Sequence, residues 1–440
     1  MLIGHGAHSF MLRLLCALAS MAVAVTASGS DVLTKETKHR LAGYGERIES
    51  ELRQNILPFW LEHARDRERG GFFGQFDDGT GLIKEAPRGA LLTARILWTF
   101  SAAYRRYPEP KYLEMARWAY DDLLTRFWDK DAGGLFWSIT ANGEPLDPRK
   151  IVYVQSFGIY SLSEYHLATG DREPLDRAIE LYRTLERQTH DREHRGYFEE
   201  FSREWKKLQG RGPRESAMGS RGQKSQNTHL HLLEAYTNLL RAWSDPLLKA
   251  NLTELVEVML TKVLDPSTHH LHLFFNEDWS PSSHEFSYGH DIEFSWLITE
   301  ATDVLANPTL AARAKQAAVS IAEVTLKEGV EPGGGVAAEG GPHGVTNAFK
   351  EWWTQAEAAV GFANAFQLSG TPAYLDASLK TWDYIEQHLI DKTHGEWFIG
   401  RSGDGTVPAP VKISFWKCPY HNGRACLELI HRLRAIADDH

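Results

Sequence analysis

Apolar residues recur every three to four positions along most of this chain, and stretches of strict alternation are few. From Arg88 to Tyr104, the residues Leu91, Ala94, Leu97, Trp98 and Ala102 keep a helical period, the mark of a helix with one buried face. The same pattern returns at 112–127, 152–168, 175–188, 228–243, 252–263, 292–305, 310–326, 352–368, 374–389 and 418–437. With an opening helix over 34–57, about twelve helices are predicted.

Between alternate helices a glycine-aromatic turn recurs: GGFFGQFD from Gly70, GGLFWSIT from Gly133, RGYFEEFS from Arg195, HLHLFFNED from His270, GGGVAAEGG from Gly333 and HGEWFIGRS from His394. Taking Gly71, Gly134, Gly196, Leu271, Gly334 and Gly395 as markers, the spacings are 63, 62, 75, 63 and 61. A fixed period of this size marks an internal repeat. Six units of two helices and a short β-hairpin predict an all-α fold, an (α/α)6 barrel whose inner helices line a central cavity. The polar stretch Arg211 to Gln226 accounts for the longer third spacing and reads as a loop.

Nothing in the 440 residues reads as an interdomain linker, so residues 28–440 are predicted to form a single domain. Residues 1–27 read as a secretory signal: Arg13 precedes an apolar run to Val25, and Val25-Thr26-Ala27 offers small residues for cleavage. The run is too short to span a bilayer. A periplasmic or secreted protein is expected, with no membrane attachment after cleavage. The net charge of −10, with no Lys/Arg run, argues against a nucleic-acid partner. Cys418 and Cys426 remain after the leader, and buried free thiols are expected rather than a disulfide framework. The 14 tryptophans suit a core, and also stacking on sugar rings.

Polar residues interrupt the apolar faces of the inner helices. Arg95 lies on a stripe with Leu91, Trp98 and Ala102, either pairing a buried carboxylate or offering a fixed cation to an oxyanion; it is the one arginine read on such a stripe. Tyr153 shares a stripe with Phe157 and Tyr160. Asn227 is read as an N-cap four residues before His231, which places His231 rather than His229 toward the cavity. His229 and His231 diverge on a helix, so the HxH is a poor metal pair. His290 and Glu293, three apart, meet on one face as a supported base or as a structural pair. Trp352, Trp353 and Glu357 follow on the fifth inner helix, and His421 opens the last one just after Pro419, where the helix N-terminus favours a neutral ring.

The segments ARILWTFSAAYR, NTHLHLLEAY, GHDIEFSW, KEWWTQAE and FWKCPYHNGRACLEL resemble those of the cellobiose 2-epimerases, in the N-acylglucosamine 2-epimerase superfamily of (α/α)6 barrels. The resemblance runs from about Thr34 to Ile436. It implies reversible inversion at C2 of the reducing-end sugar of β-1,4-linked disaccharides such as cellobiose, mannobiose or lactose, with no cofactor and no metal. By the same resemblance His290 and His421 form the acid/base pair, His231 assists at the ring or at O1, Arg95 holds the enediolate oxygen and Glu293 supports His290. Tyr153, Asn227, Trp353 and Trp416 would contact sugar, and a monomer is the default for such a barrel.

The chemistry agrees. Inverting C2 means removing a proton acidified by the C1 aldehyde and returning one to the other face, which suits two histidines. An aldose–ketose isomerase of the same superfamily is the nearest alternative, since one base suffices there. A glycoside hydrolase would need a catalytic carboxylate pair, and a glycan-binding protein would have no use for His290 and His421 together.

Overall fold

The computed structural model describes residues 33–77, 81–208, 223–403, 405–407 and 411–439. The expected leader and residues 211–222 of the polar loop lie outside them. The described residues hold thirteen α-helices: α1 (Lys35–Ser50), α2 (Leu57–His63), α3 (Ala90–Arg106), α4 (Pro110–Asp122), α5 (Val152–Thr169), α6 (Arg172–Gln188), α7 (Gln226–Ala242), α8 (Pro246–Val258), α9 (Tyr288–Leu305), α10 (Pro308–Val324), α11 (Trp352–Ser369), α12 (Pro372–His388) and α13 (Tyr420–Asp439). A π turn, Glu51–Ile56, joins α1 to α2.

Helices α3, α5, α7, α9, α11 and α13 each pack on the next, and α13 returns to α3, closing an inner ring. Each inner helix is backed by an outer one: α4, α6, α8, α10 and α12 follow theirs in sequence, while α1 backs α13. The two ends of the helical chain therefore complete the sixth unit together. The architecture is the expected (α/α)6 barrel, and residue type explains who goes where. In α5 nearly every position from Val152 to Tyr165 is buried, including Gln155, Ser156, Ser161 and Glu164. In α6 burial is confined to a stripe that includes Leu175, Ala178, Ile179, Tyr182 and Leu185, the amphipathic signature of an outer wall. Inner helices approach closely where side chains vanish: a Cβ on Gly361 would stand 2.5 Å from Ile292 Cγ1.

Six small sheets stitch the units together. The strand before each inner helix pairs with the turn of the next unit: Arg88–Gly89 with Ser138–Ile139, Lys150–Ile151 with Glu200–Phe201, and so on to Val411–Ile413, which pairs with Phe76–Asp77 of the first unit. Ion pairs to buried cations fix the same junctions. Asp66 pairs with Arg88, Asp129 with Lys150, Asp191 with Lys224, Glu331 with Lys350 and Asp391 with Lys412, at 2.5, 3.0, 2.7, 2.6 and 2.8 Å. Each of these four aspartates also accepts two backbone N–H bonds from its own turn.

The fourth unit departs from this scheme. Phe286 stands where the others place a cation, and it stacks on His270 with ring centres 3.6 Å apart. His270 Nδ1 lies 2.8 Å from Asp291 Oδ2, in the first turn of α9, and its Nε2 lies 3.3 Å from Glu328. Burial works against the imidazolium, but Asp291 and Glu328 outweigh it and raise the His270 pKa. Burial lifts the Asp291 carboxyl despite His270, so the pair does not fully offset that desolvation. Both groups thus bind protons more tightly folded than unfolded. The His270 contribution is complete below the unfolded histidine value of about 6.5 and is lost as pH climbs through its raised value, whereas the Asp291 contribution is complete only below the ordinary carboxyl range and fades as pH rises through its own raised value. Urea unfolding from about pH 6 to about pH 9 should show that decline. His270→Asn should cost about 3–5 kcal/mol at the acid end, by leaving Asp291 buried without its cation, and should flatten the slope. A wild-type profile already flat over this range would rule out a charged His270.

Candidate active site

The inner helices present their chemistry in register. Counted from its first residue (from Pro419 for the last), each places at its sixth position Arg95, Phe157, His231, Glu293, Glu357 or Arg424. All six are buried. They form one layer near the N-terminal ends of the helices, and the groups around them come from positions one turn away.

Arg424 sits among three carboxylates. Its Nη2 donates to Glu293 Oε1 at 2.6 Å and to Glu357 Oε1 at 2.7 Å, and its Nη1 donates to Glu234 Oε1 and to the Tyr420 hydroxyl. Tyr420 in turn donates to Glu234 Oε1. Two histidines hang on this network. His231 Nδ1 lies 2.9 Å from Glu234 Oε2, and His421 Nδ1 lies 2.7 Å from Glu357 Oε1. A carboxylate accepts, so each imidazole is held as the Nδ1–H tautomer with Nε2 left as the basic nitrogen. Trp296 Nε1 donates to the other oxygen of Glu357 at 3.1 Å.

Arg95 is the opposite case. Its Nη2 donates to Tyr153 Oη at 2.7 Å and its Nη1 faces Cys418 Sγ at 3.8 Å, while Nε has no partner. The guanidinium lies over the Phe157 ring at 4.4 Å and near Tyr420 at 5.0 Å. Among the described residues no carboxylate pairs with it, so the carboxylate-pairing reading of Arg95 does not hold. It is a buried cation with unused donor capacity, suited to an oxyanion.

His290 borders the same space. Its ring lies 4.7 Å from that of Trp353, which lies 5.6 Å from that of His421. Gly289 makes this possible: a Cβ there would come within 2.5 Å of the Trp353 ring. His290 Nδ1 has no partner. The expected support from Glu293 is therefore not made. The spacing does put both on one face of α9, but the buried Arg424 draws the Glu293 carboxylate away, and its Oε2 is unpartnered.

Burial dominates the electrostatics. It lowers the His290 pKa to about 4, with Arg95 adding to the effect. It also holds His421 and His231 well below the ordinary histidine value, with Arg95 the next cause in both. Neutral imidazoles were expected at His421 from the helix N-terminus; desolvation and neighbouring cations are the larger reason. Burial also raises Glu293 and Glu357, whose proximity adds repulsion at Glu357. The Tyr153 hydroxyl is pushed up to about 12 by burial, so it stays protonated.

Two further sequence readings need correction. Ser225, not Asn227, caps α7, accepting from Thr228 N at 3.2 Å, because the preceding strand ends at Ser225 and the helix begins one residue later. Asn227 lies in the first turn, partly buried, with its Oδ1 unpartnered. Nor is Arg95 the lone inner arginine, given Arg424. Arg424, Glu234 and Tyr420 went unread, although Glu234 is three residues beyond His231 and Arg424 three beyond His421. His229 faces away as expected: its Nδ1 donates to Ser225 O at 2.7 Å and its Nε2 accepts from Tyr197 N at 2.8 Å.

Trp353 is partly buried at the site, whereas Trp352 is core. Trp416 is 40% exposed, with its ring 6.1 Å from those of Tyr153 and Trp137, a platform at the mouth. Cys418 and Cys426 are free and buried. Glu293, Glu357 and His421 bring three ligand-type atoms within 4.8 Å of one another, but the cation bound between the two carboxylates is the guanidinium of Arg424.

This constellation of histidines, glutamates and a free arginine inside an (α/α)6 barrel has relatives. The N-acylglucosamine 2-epimerase (GlcNAc 2-epimerase) family matches residues 71–425. The chain belongs to that family. Within the family it is 42% identical over 387 residues to a cellobiose 2-epimerase of Bacteroides fragilis, covering 88% of this chain and 98% of that protein. It is 38% identical over 388 residues to one from Dictyoglomus turgidum, covering 87% and 97%. The solved cellobiose 2-epimerase of Bacillus thermoamylovorans B4167 superposes with a TM-score of 0.85 at 38% identity, covering 89% of this chain and all of that one. Like these epimerases, the chain is an enzyme of the isomerase class.

Proposed function

We propose that this epimerase inverts C2 of the reducing-end sugar in β-1,4-linked disaccharides, with cellobiose and mannobiose as substrates. The observation behind this is the meeting of two imidazoles of different surroundings, His290 and His421, on the flanks of Trp353, beside a guanidinium that pairs with no carboxylate among the described residues. His231, against the Tyr153 ring at 5.0 Å, assists opening of the hemiacetal. One histidine then takes the C2 proton, made acidic by the C1 aldehyde. Arg95 and the Tyr153 hydroxyl stabilise the enediolate oxygen. The second histidine, having first taken a proton from solvent on its cavity nitrogen, gives it to C2 from the other face; the first releases the abstracted proton to solvent, and ring closure completes the inversion. Each histidine must take up and give back a proton during turnover, as imidazole can, from a resting state that burial keeps neutral. The Trp353 and Trp416 faces and the free Asn227 amide are suited to hold the sugars. The apolar leader supports export, so that the substrates would be oligosaccharides met outside the cytoplasm.

Proton NMR of the purified protein with cellobiose in D2O tests this reading. Glucosylmannose carrying deuterium at C2 is expected. Cellobiulose as the main early product would make the enzyme an aldose–ketose isomerase, and free glucose would make it a hydrolase. No change in cellobiose, mannobiose or lactose would overturn the substrate class.

A further inference from the structure

We propose that Arg424 is a positioning residue of this site, fixing the tautomer and orientation of His231 and His421 together through Glu234 and Glu357. Its consequence for turnover rests on the epimerase reading above; its structural content does not.

The geometry points this way in three respects. First, among the described residues no hydrogen bond joins the two imidazole–carboxylate pairs directly, yet Arg424 donates to both carboxylates, through Nη1 to Glu234 and through Nη2 to Glu357. Second, three carboxylates, all under 5% exposed, converge here. Without a cation among them, at least one would take up a proton. A protonated carboxyl gains an O–H donor, and where that O–H faces Nδ1 it would push the imidazole to the Nε2–H tautomer and remove its basic nitrogen from the cavity. Third, Arg424 is itself held rigidly, 4.7 Å from the Trp296 ring and 4.3 Å from the Tyr420 ring. A planar fork can serve Glu234, Glu293 and Glu357 at once; a lysine ammonium lacks that geometry.

The division of labour with Arg95 follows. Both Nη groups of Arg424 are taken up by the protein, whereas Arg95 keeps donor capacity for substrate. The charged and titratable groups around Arg424 include Tyr420, His421 and Glu428 on its own helix, Arg95 on α3, Tyr153 and Tyr160 on α5, His231 and Glu234 on α7, Glu293 on α9 and Glu357 on α11.

The test uses full-length protein labelled with 15N-histidine, with the His231 and His421 ring signals assigned by single substitution. In Arg424→Lys both ring signals should move together, although Arg424 hydrogen-bonds neither ring among the described residues, and kcat should fall about 10–100-fold, the cost usual for outer partners of functional histidines, with KM little changed. The acid limb of the kcat profile should shift as well. Unmoved ring signals would overturn the proposal. If that variant does not fold, Glu357→Gln read at the far end decides: the His231 signal should shift through Arg424, and a His231 signal identical to wild type would overturn the coupling. Because the spectra need no substrate, a protein that shows the coupled signals but leaves every disaccharide unchanged would refute the epimerase reading alone.

Discussion

Replacing His421 with Asn should lower kcat on cellobiose by about 10²–10⁴-fold, the usual worth of a positioned acid/base group, with the fold intact. Asparagine preserves a donor toward Glu357, whose Oε1 accepts from His421 Nδ1 at 2.7 Å and from Arg424 at the same distance, so the carboxylate is not stranded. What disappears is the basic nitrogen. If His290 works from the opposite face, the variant should still exchange the C2 proton for deuterium without inverting it, and His290→Asn should show the same dissociation starting from the epimeric sugar. For the wild type, both rings have lowered pKa values, His290 to about 4. The acid limb of kcat/KM should therefore fall below the ordinary histidine value of about 6.5. Inversion at the wild-type rate in His421→Asn would remove His421 from the mechanism.

Much of this architecture was readable because a six-fold barrel repeats its instructions. The glycine-aromatic turns mark the junctions now seen as small sheets, and the helical periods place eleven of the inner and outer helices within a few residues of their bounds. The fourth turn was readable as a variant, HLHLFFNED, but not as a buried His270–Asp291 pair, because the partners are 21 residues apart and only the packed helices bring them together.

The site was legible where function sits on one helix and obscure where it spans several. His231, His290, His421, Arg95, Tyr153 and Trp353 each interrupt an apolar stripe, so sequence spacing finds them. Glu293 and Glu357 were visible too, yet their partners could not be deduced from spacing. Glu293 has His290 three residues away on its own helix, but bonds Arg424 on another, 131 residues on. In a dry interior a full positive charge outcompetes a neutral ring. Arg424 stayed hidden for a related reason. On α13 it reads as one more basic residue in a helix that also holds Arg432 and Arg434, and only closure of α13 against α3 and α11 puts it at the centre.

Arg95→Met should reduce kcat by about 10²–10³-fold, the cost of removing a preorganised oxyanion donor, while leaving the folded state as stable as the wild type or more so. The two halves of this expectation have one cause. Arg95 is 2% exposed, yet among the described residues its side chain has only a phenol and a thiol as hydrogen-bond partners. Taking a cation out of water costs several kcal/mol even after relaxation, and neither partner carries the charge to offset it. Methionine fills a similar volume beside Phe157 and Tyr420 without that cost. Urea midpoints report the stability, and deuterium incorporation at C2 reports the activity. A drop in stability of more than about 2 kcal/mol, the scale expected when a structural hydrogen bond to a charged group is lost, would mean that Arg95 holds the barrel together. Unchanged or higher stability with activity lost would mean that the fold tolerates an unneutralised cation there because the enediolate supplies the missing charge.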